Sequence, residues 1–278
     1  MQTMLFAKPP LVELIAELRW GAQPTGAPSG GMEHGAPNIS MPLTITNRTE
    51  EWFIQFGAKI SADGYTRVER LIPTGFPLMP FQPVYRFRKN APEDGTSLYQ
   101  LGPGLFTANI TPPYKSWDQF QPIVKNGVEK LLQSRTDTEN TEPFRTVLLR
   151  YIDAFGPEFL AGEPAVDFLA NKLGFKLELP EIIKKFAKPF SPIQSALNFG
   201  VHLKNNFFMT INVGEGIANG KKAVVMDTTV ATGVPIECSS EKVMHTFNEA
   251  RSIIHEAFIE ITRPISSIMQ PIEEKEND

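Results

Sequence analysis

The same succession of sequence patterns occurs twice along this chain of 278 residues. Each succession begins with an apolar strand pattern, continues through a short helical pattern and several further strands, and ends in a long amphipathic helix. The leading strands are Leu14–Trp20 and Val147–Phe155, and the closing helices begin at Ser116 and Ser240. An antiparallel sheet with one apolar face needs a helix laid across that face. The pattern predicts an α+β fold of two similar halves, each an antiparallel sheet packed by a long amphipathic helix, related by a pseudo-twofold axis.

A polar segment separates the two predicted halves. Residues 134–143 (SRTDTENTEP) lack apolar periodicity and divide residues 1–133 from residues 144–270, which are followed by an acidic tail at 271–278. We expect the two sheets to join edge to edge, with both long helices on the same side. Residues 21–38 are crowded with Gly, Pro, Ala and Ser, a composition that predicts a flexible loop.

In the first half, the segment Leu11–Trp20 alternates imperfectly and favours a strand, although its Leu, Ala and Glu content also suits a helix. Thr49 is a candidate cap for a following helix. The segment Ser97–Ile110 predicts one long strand, or two strands around a Gly-Pro-Gly sequence. Ser116 and Gln119 have the spacing of a capping box at the start of the closing helix.

In the second half, Asn219 and Gly220 form the best tight-turn dipeptide of the chain, with strand patterns on both sides. Ser239 or Ser240 is expected to cap the final helix, and Pro264 is expected to end it. These signals predict an antiparallel hairpin followed by a long helix, in the same order as in the first half.

Composition excludes several classes of protein. The formal net charge is −4 and the isoelectric point is near 5.7, so the broad basic field of a nonspecific nucleic-acid-binding protein is missing and we do not expect nucleic acid as a partner. The lone Cys238 excludes an internal disulfide and a multi-cysteine zinc site. The sequence holds neither a signal-peptide pattern nor an apolar run of about 18 residues, which predicts a cytoplasmic protein without a membrane span.

The usual catalytic and cofactor motifs are incomplete. The segment 214–222 (GEGIANGKK) lacks the glycine spacing of a phosphate loop and predicts a hairpin turn instead. The histidines do not have metal-binding spacing, and surface or capping roles are the simpler interpretation; they are His34, His202, His245 and His255. The Cys238 thiolate could gain from the following helix dipole, but no partner signature accompanies it. We therefore expect no catalytic residue, no metal and no cofactor, and the balance leans away from an enzyme.

Charged residues inside the two leading strands are the first candidate site. Arg150 lies in the apolar run VLLRYI, where an unpaired charge would be costly if buried. A carboxylate of the counterpart strand, Glu13 or Glu17, would satisfy it, either as a structural ion pair or beside an anion bound in a groove between the halves. The candidate ligand-binding residues are Arg150, Arg19, Glu13, Glu17, Asp153 and Tyr151.

Aromatic residues in proline-rich segments are the second candidate site. Exposed aromatic side chains supply contact area at low entropic cost. The candidate partner-binding residues are Phe76, Phe81, Tyr85 and Tyr114, for which packing against the core is an equally good interpretation.

Three segments carry a family resemblance: LFAKPPLVELIAELRW, YKSWDQF and FRTVLLRYIDAF. The chain resembles a sporadically distributed, uncharacterised bacterial family with an N-terminal Pro-Pro-x-x-Glu motif and a central Leu-Arg-Tyr-Ile-Asn/Asp motif. Pro9, Pro10 and Glu13 match the first motif, and residues 150–153 match the second, with Asp153 where Asn is commoner. The resemblance implies no catalytic residue. A patchy distribution suits mobile-element cargo such as defence or toxin-neutralising modules.

Three functional hypotheses follow. The leading one is a non-enzymatic cytoplasmic module that binds a protein partner, or a second copy of itself, through the sheet or the groove. The alternative is a domain that binds a small anionic ligand or nucleotide in the groove, with or without catalysis. The third is nucleic-acid binding across a saddle-shaped sheet, which the acidic isoelectric point disfavours.

Overall fold

The computed structural model describes residues 5–21, 48–90, 95–114, 116–135, 142–176, 178–186, 188 and 195–272. The expected flexible loop lies outside these residues except for Gly21, as do most of the polar segment at 134–143 and the tail from residue 273 onward. Helices and antiparallel strands together form an α+β fold, as the sequence predicts. In the described part of the chain, no helix is both long enough and apolar enough to cross a membrane.

The secondary-structure elements follow the two predicted successions. Up to residue 135, the elements are β1 (Leu5–Phe6), β2 (Leu11–Arg19), α1 (Arg48–Ser61), β3 (Arg67–Arg70), β4 (Tyr85–Arg88), β5 (Leu98–Gly102), β6 (Leu105–Ile110) and α2 (Trp117–Leu132). From residue 142 onward, they are β7 (Thr146–Phe155), α3 (Pro157–Leu160), α4 (Ala165–Asn171), α5 (Glu181–Phe186), β8 (Ala196–His202), β9 (Phe207–Ala218), β10 (Lys221–Thr232), α6 (Ser240–Thr262), α7 (Ser266–Met269) and β11 (Pro271–Ile272).

A nine-stranded antiparallel sheet in the order β3-β4-β5-β6-β2-β7-β10-β9-β8 forms the centre of the fold. The two leading strands are neighbours, with Ile15 of β2 opposite Arg150 of β7. Strands from before residue 135 lie on one side of this seam and strands from after residue 142 lie on the other. The expected edge-to-edge joining is therefore confirmed. The short strands β1 and β11 pair separately, with Leu5 opposite Ile272.

The hydrophobic core lies on one face of this sheet. On β2, Leu14, Ala16 and Leu18 are fully buried, and the intervening residues are only partly buried. The apolar helix stripes join the same core, as predicted; they comprise Trp52, Phe53, Phe56 and Ile60 of α1, Trp117, Phe120, Val124, Val128 and Leu131 of α2, and Val243, Phe247, Ala250 and Ile254 of α6. The three longest helices therefore pack against a single face, and the opposite face has no helix of the described chain in this core.

Local details correct several expectations. The region from Ser97 to Ile110 is two strands, because the chain turns between Gly102 and Leu105. The helix α1 begins at Arg48, so Thr49 lies inside it and is not its cap. Ser116 is the N-cap residue of α2, but its side chain makes no capping hydrogen bond, so the capping box is wrong.

The second half follows its sequence signals more closely. Ser239 caps α6, with its Oγ accepting a hydrogen bond from the backbone N of Lys242 at 3.4 Å. The turn between β9 and β10 places Asn219 and Gly220 at φ values of 51° and 74°. Both values lie in the left-handed region that the Asn-Gly pair tolerates, so the hairpin prediction is confirmed.

Candidate functional site

Arg150 lies on the helix-free face of the sheet, where it forms a two-pronged ion pair with Asp227 of β10. Its Nε donates to Oδ1 at 2.8 Å and its Nη2 donates to Oδ2 at 2.5 Å. The expectation that Glu13 or Glu17 is the direct partner is therefore wrong. These two carboxylates act at longer range, and together with the dominant Asp227 hydrogen bond they raise the pKa of Arg150.

The other charged candidates on this face have partners of their own. Glu13 accepts a hydrogen bond from Asn109 Nδ2 at 2.8 Å, and Glu17 accepts one from Arg19 Nε at 2.5 Å. The Arg19 guanidinium also lies 5.7 Å from the ring centroid of Phe81. An anion entering beside either predicted arginine would have to compete with a carboxylate already in place. This geometry favours structural ion pairs.

A hydrogen-bonded polar row continues from Glu13 across the first half of the sheet. Asn109 Oδ1 accepts from Thr107 Oγ1 at 2.7 Å, and Thr107 in turn accepts from Gln100 Nε2 at 3.3 Å. Gln100 Oε1 accepts from Arg86. Sequence analysis missed this row, although strand alternation places its members on one face. The row fixes the polar side chains in one arrangement.

Asp153 and Tyr151 lie on the opposite face from Arg150, because successive side chains of a strand point to opposite sides. They line a cavity of about 80 Å³ beneath α6. Only 3% of Asp153 is exposed, and its Oδ2 has no hydrogen-bond partner. Burial, with a smaller contribution from Asp227, raises the pKa of the Asp153 carboxyl to about 7. The six candidate ligand residues therefore divide between two faces of the sheet.

Two further polar residues of this cavity come from α6 and were missed by sequence analysis. Arg251 and His255 are four positions apart, so they project from one side of the helix. Burial, assisted by Arg251, lowers the pKa of His255 to about 4, and the buried Nε2 of His255 has no hydrogen-bond partner. Burial also raises the pKa of Tyr114 and of Tyr151, which share a side-chain hydrogen bond. The only available signal was this polar pair interrupting an apolar helix stripe.

The four aromatic candidates for partner binding have different environments. Phe76 is 64% exposed. Phe81 stacks with Arg19, and the Tyr85 hydroxyl accepts a hydrogen bond from Arg70 Nη1 at 2.9 Å while its ring packs on the core. Tyr114 is a wall of the cavity. Packing therefore occupies much of three of these side chains.

The β8 edge of the sheet is a site that sequence analysis did not single out. Nothing in the described chain pairs with its outer side, and its side chains are exposed on both faces. Phe199 is 40% exposed although its ring stacks on Phe175 at 5.5 Å, and Val201 is 49% exposed. The strand ALNFGVH contains no Lys, Arg, Asp, Glu or Pro. Such an edge lacks the usual protection against pairing with another chain.

The other sheet edge, β3, is protected in the ordinary way. This strand has four residues, RVER, and three of them are charged. Arg67 and Glu69 form an ion pair at 3.1 Å on its surface. Short, charged edge strands disfavour pairing with another chain. The contrast singles out β8 as the edge suited to a partner.

The nucleophile and metal alternatives gain no support. Cys238 Sγ accepts a hydrogen bond from Arg135 Nη1 at 2.8 Å, yet burial is the larger influence and raises the pKa of the thiol. A reactive thiolate needs the opposite shift. In the ranges given above, no group of three His, Cys, Asp or Glu side chains is arranged to hold a metal ion.

Comparisons with protein-family models, with curated proteins and with solved structures found no match to this chain. The site therefore has to be interpreted from its own geometry. Two features have unsatisfied binding capacity: the outer edge of β8 and the cavity that contains Asp153.

Proposed function

We propose that the protein is a non-enzymatic interaction module that binds an extended segment of a partner protein along strand β8. The observation that carries this proposal is the unprotected outer edge of that strand. A partner segment would add a tenth strand to the sheet, with main-chain hydrogen bonds supplying affinity and side-chain contacts supplying specificity.

The backbone of β8 has a defined set of groups for such a segment. Ser195 and Leu203, which flank the strand, both bond to β9 through their backbone. Hydrogen bonding alternates along an antiparallel pair, so the odd-numbered residues between them also bond to β9. The N–H and C=O groups of Ala196, Asn198 and Gly200 therefore point outward. These groups match the needs of an incoming strand.

The side chains of β8 add apolar contact area on one face. Phe199 and Val201 lie on the face that carries the core, beyond the part covered by the long helices. Asn198 and His202 lie on the other face, where Asn198 donates to Asn212 Oδ1. A partner strand with apolar residues at alternate positions would complement this arrangement.

The finer architecture and biological setting belong to the same proposal. We infer that the two halves are related by a pseudo-twofold axis near the β2–β7 seam, an inference supported by the order of elements on either side. The family resemblance supports a cytoplasmic bacterial module, with a defence or toxin-neutralising system as its proposed setting. Binding of a small anion in the groove is the weaker candidate, because Arg150 and Arg19 are both paired with carboxylates.

The proposal is tested by replacing an outward-facing amide. Asn198→Pro removes an N–H that bonds to no other strand of the sheet, while Asn198→Ala removes the same side chain but keeps that N–H. Partners captured from native lysate by the immobilised protein are identified by mass spectrometry, and their affinities are then measured for the wild type and both variants. We expect binding to weaken about tenfold in Asn198→Pro alone.

Equal binding by Asn198→Pro and Asn198→Ala would contradict the edge-strand proposal. Far-ultraviolet circular dichroism of both variants checks that the sheet is intact. Light scattering identifies a second copy of the chain as the partner if the wild type is dimeric and Asn198→Pro is monomeric. A wild type that stays monomeric and captures no partner overturns the proposal.

A further inference from the structure

The cavity beneath α6 carries an inference that is independent of the β8 edge. We propose that this cavity binds a small organic ammonium ion, whose N–H groups donate to the Asp153 carboxylate while its carbon chain lies among apolar and aromatic side chains. A primary alkylammonium group is the chemical class that fits, either as a free metabolite or as the end of a longer molecule.

The first argument is the unmet need of Asp153. This side chain is 97% buried, and its Oδ2 faces the cavity without a hydrogen-bond donor. A buried carboxylate is stable only when it is paired and hydrogen-bonded. The charged group that acts on it is Asp227, which has the same sign and makes ionisation harder. A ligand that carries a positive charge and N–H donors would supply both missing interactions.

The second argument is the character of the walls. Phe6 of β1, Trp117 of α2 and Phe258 of α6 line the cavity, together with the aliphatic Leu5 and Ile254. Aromatic faces attract cations because of the ring quadrupole, and the attraction grows when the cation is shielded from water. The Phe6 and Phe258 rings also contact each other at 6.2 Å, which closes one side of the cavity.

The third argument is size. The cavity volume of about 80 Å³ is roughly half that of the ~150 Å³ cavity that is known to hold benzene. It suits an ammonium group with a chain of about three carbon atoms, and its open side leaves room for a longer substituent.

The remaining polar groups of the cavity fit a cation placed at Asp153. Arg251 acts on the pair formed by Tyr114 and Tyr151 and on His255, and it does not act measurably on Asp153. The positive charge of Arg251 is therefore directed away from the carboxyl. The buried imidazole of His255 is neutral near pH 7 and offers a polar nitrogen to a second N–H of the ligand.

The test uses n-propylammonium chloride as the probe and the full-length protein near pH 8, where the carboxylate is ionised. Thermal unfolding is followed with the probe, 1-propanol, sodium propionate or potassium chloride at equal concentration. We expect the unfolding temperature to rise with the ammonium probe beyond the salt control, and not with the alcohol or the carboxylate. Titration calorimetry then gives the dissociation constant.

Variants separate this site from a general salt effect. Asp153→Asn should weaken probe binding about tenfold or more, whereas Glu13→Gln, which removes a carboxylate from the opposite face, should leave it unchanged. If Asp153→Asn does not fold, Asp153→Leu replaces the carboxyl with an apolar group and serves the same purpose. The proposal is overturned if 1-propanol stabilises the wild type as much as the ammonium probe, or if the probe binds the Asp153 variants as tightly as the wild type.

Discussion

The buried carboxyl of Asp153 predicts a specific dependence of stability on pH. In the unfolded chain its pKa is near the ordinary value of 3.8, and in the folded protein burial raises the pKa to about 7. Below pH 3.8 the group is protonated in both states and costs nothing. As the pH rises toward 7, the unfolded chain loses the proton first, so the folded state loses stability relative to it. Above about pH 7 the full penalty is present.

The size of this effect follows from the shift itself. One pKa unit corresponds to about 1.4 kcal/mol, so the rise from 3.8 to about 7 amounts to about 4 kcal/mol, of which about 3 kcal/mol falls between pH 5 and pH 8. Asp153→Asn removes the titration. The difference in unfolding free energy between the variant and the wild type should therefore grow by about 3 kcal/mol over that interval, in favour of the variant.

Urea denaturation of both proteins at several pH values measures this difference. Groups that face the carboxyl from neighbouring elements are present in both proteins, so their own titrations cancel; they are Asp227, Tyr114, Tyr151, Arg251 and His255. Curves of free energy against pH that run parallel for the two proteins would refute the argument, because they would show that the carboxyl is solvated or paired in the folded state.

Three further outcomes are expected. A double-mutant cycle with Arg150→Ala and Asp227→Ala should give a coupling of about 1 kcal/mol in urea denaturation, since the pair is two-pronged but partly solvated; a coupling of zero would contradict the ion pair. Gly127→Ala should lower the unfolding free energy by about 1–3 kcal/mol despite the helix preference of alanine, because its methyl group would lie 2.5 Å from the ring of Tyr99; an unchanged or raised value would show that the rings move aside. Cys238 should react with a thiol reagent near pH 8 more slowly than a free thiol, which follows from its raised pKa; a faster reaction would contradict its burial.

The core could be predicted from the sequence because periodicity reports which residues share a face. The alternation of β2 and the helical stripes of α2 and α6 each identified side chains that are buried, such as Leu14, Phe120 and Phe247. The strand β3 was missed, since its sequence RVER has charges where alternation would show apolar residues. The capping box failed because the spacing of Ser116 and Gln119 does not determine the rotamer that a capping bond requires.

The candidate site was only partly predictable. Alternation along β7 already implies that Arg150 and its neighbours Tyr151 and Asp153 do not share a face, apart from the last two with each other. The pairing of Arg150 with Asp227 depends on the register between β7 and β10, which no local pattern specifies. Cavities and unpaired edges are properties of the assembled sheet, so the site containing Asp153 and the edge at β8 emerge only in three dimensions.

The position of β2 has a consequence during synthesis. This strand is made near the start of the chain, yet one of its two neighbours is β7, which leaves the ribosome only after Phe155 has been added. Until then a nascent chain has an open apolar margin in what will become the middle of the sheet. Distant pairings of this kind slow folding and leave intermediates prone to association. A fragment that ends before Thr146 is therefore expected to aggregate, and the two halves should fold as one cooperative unit.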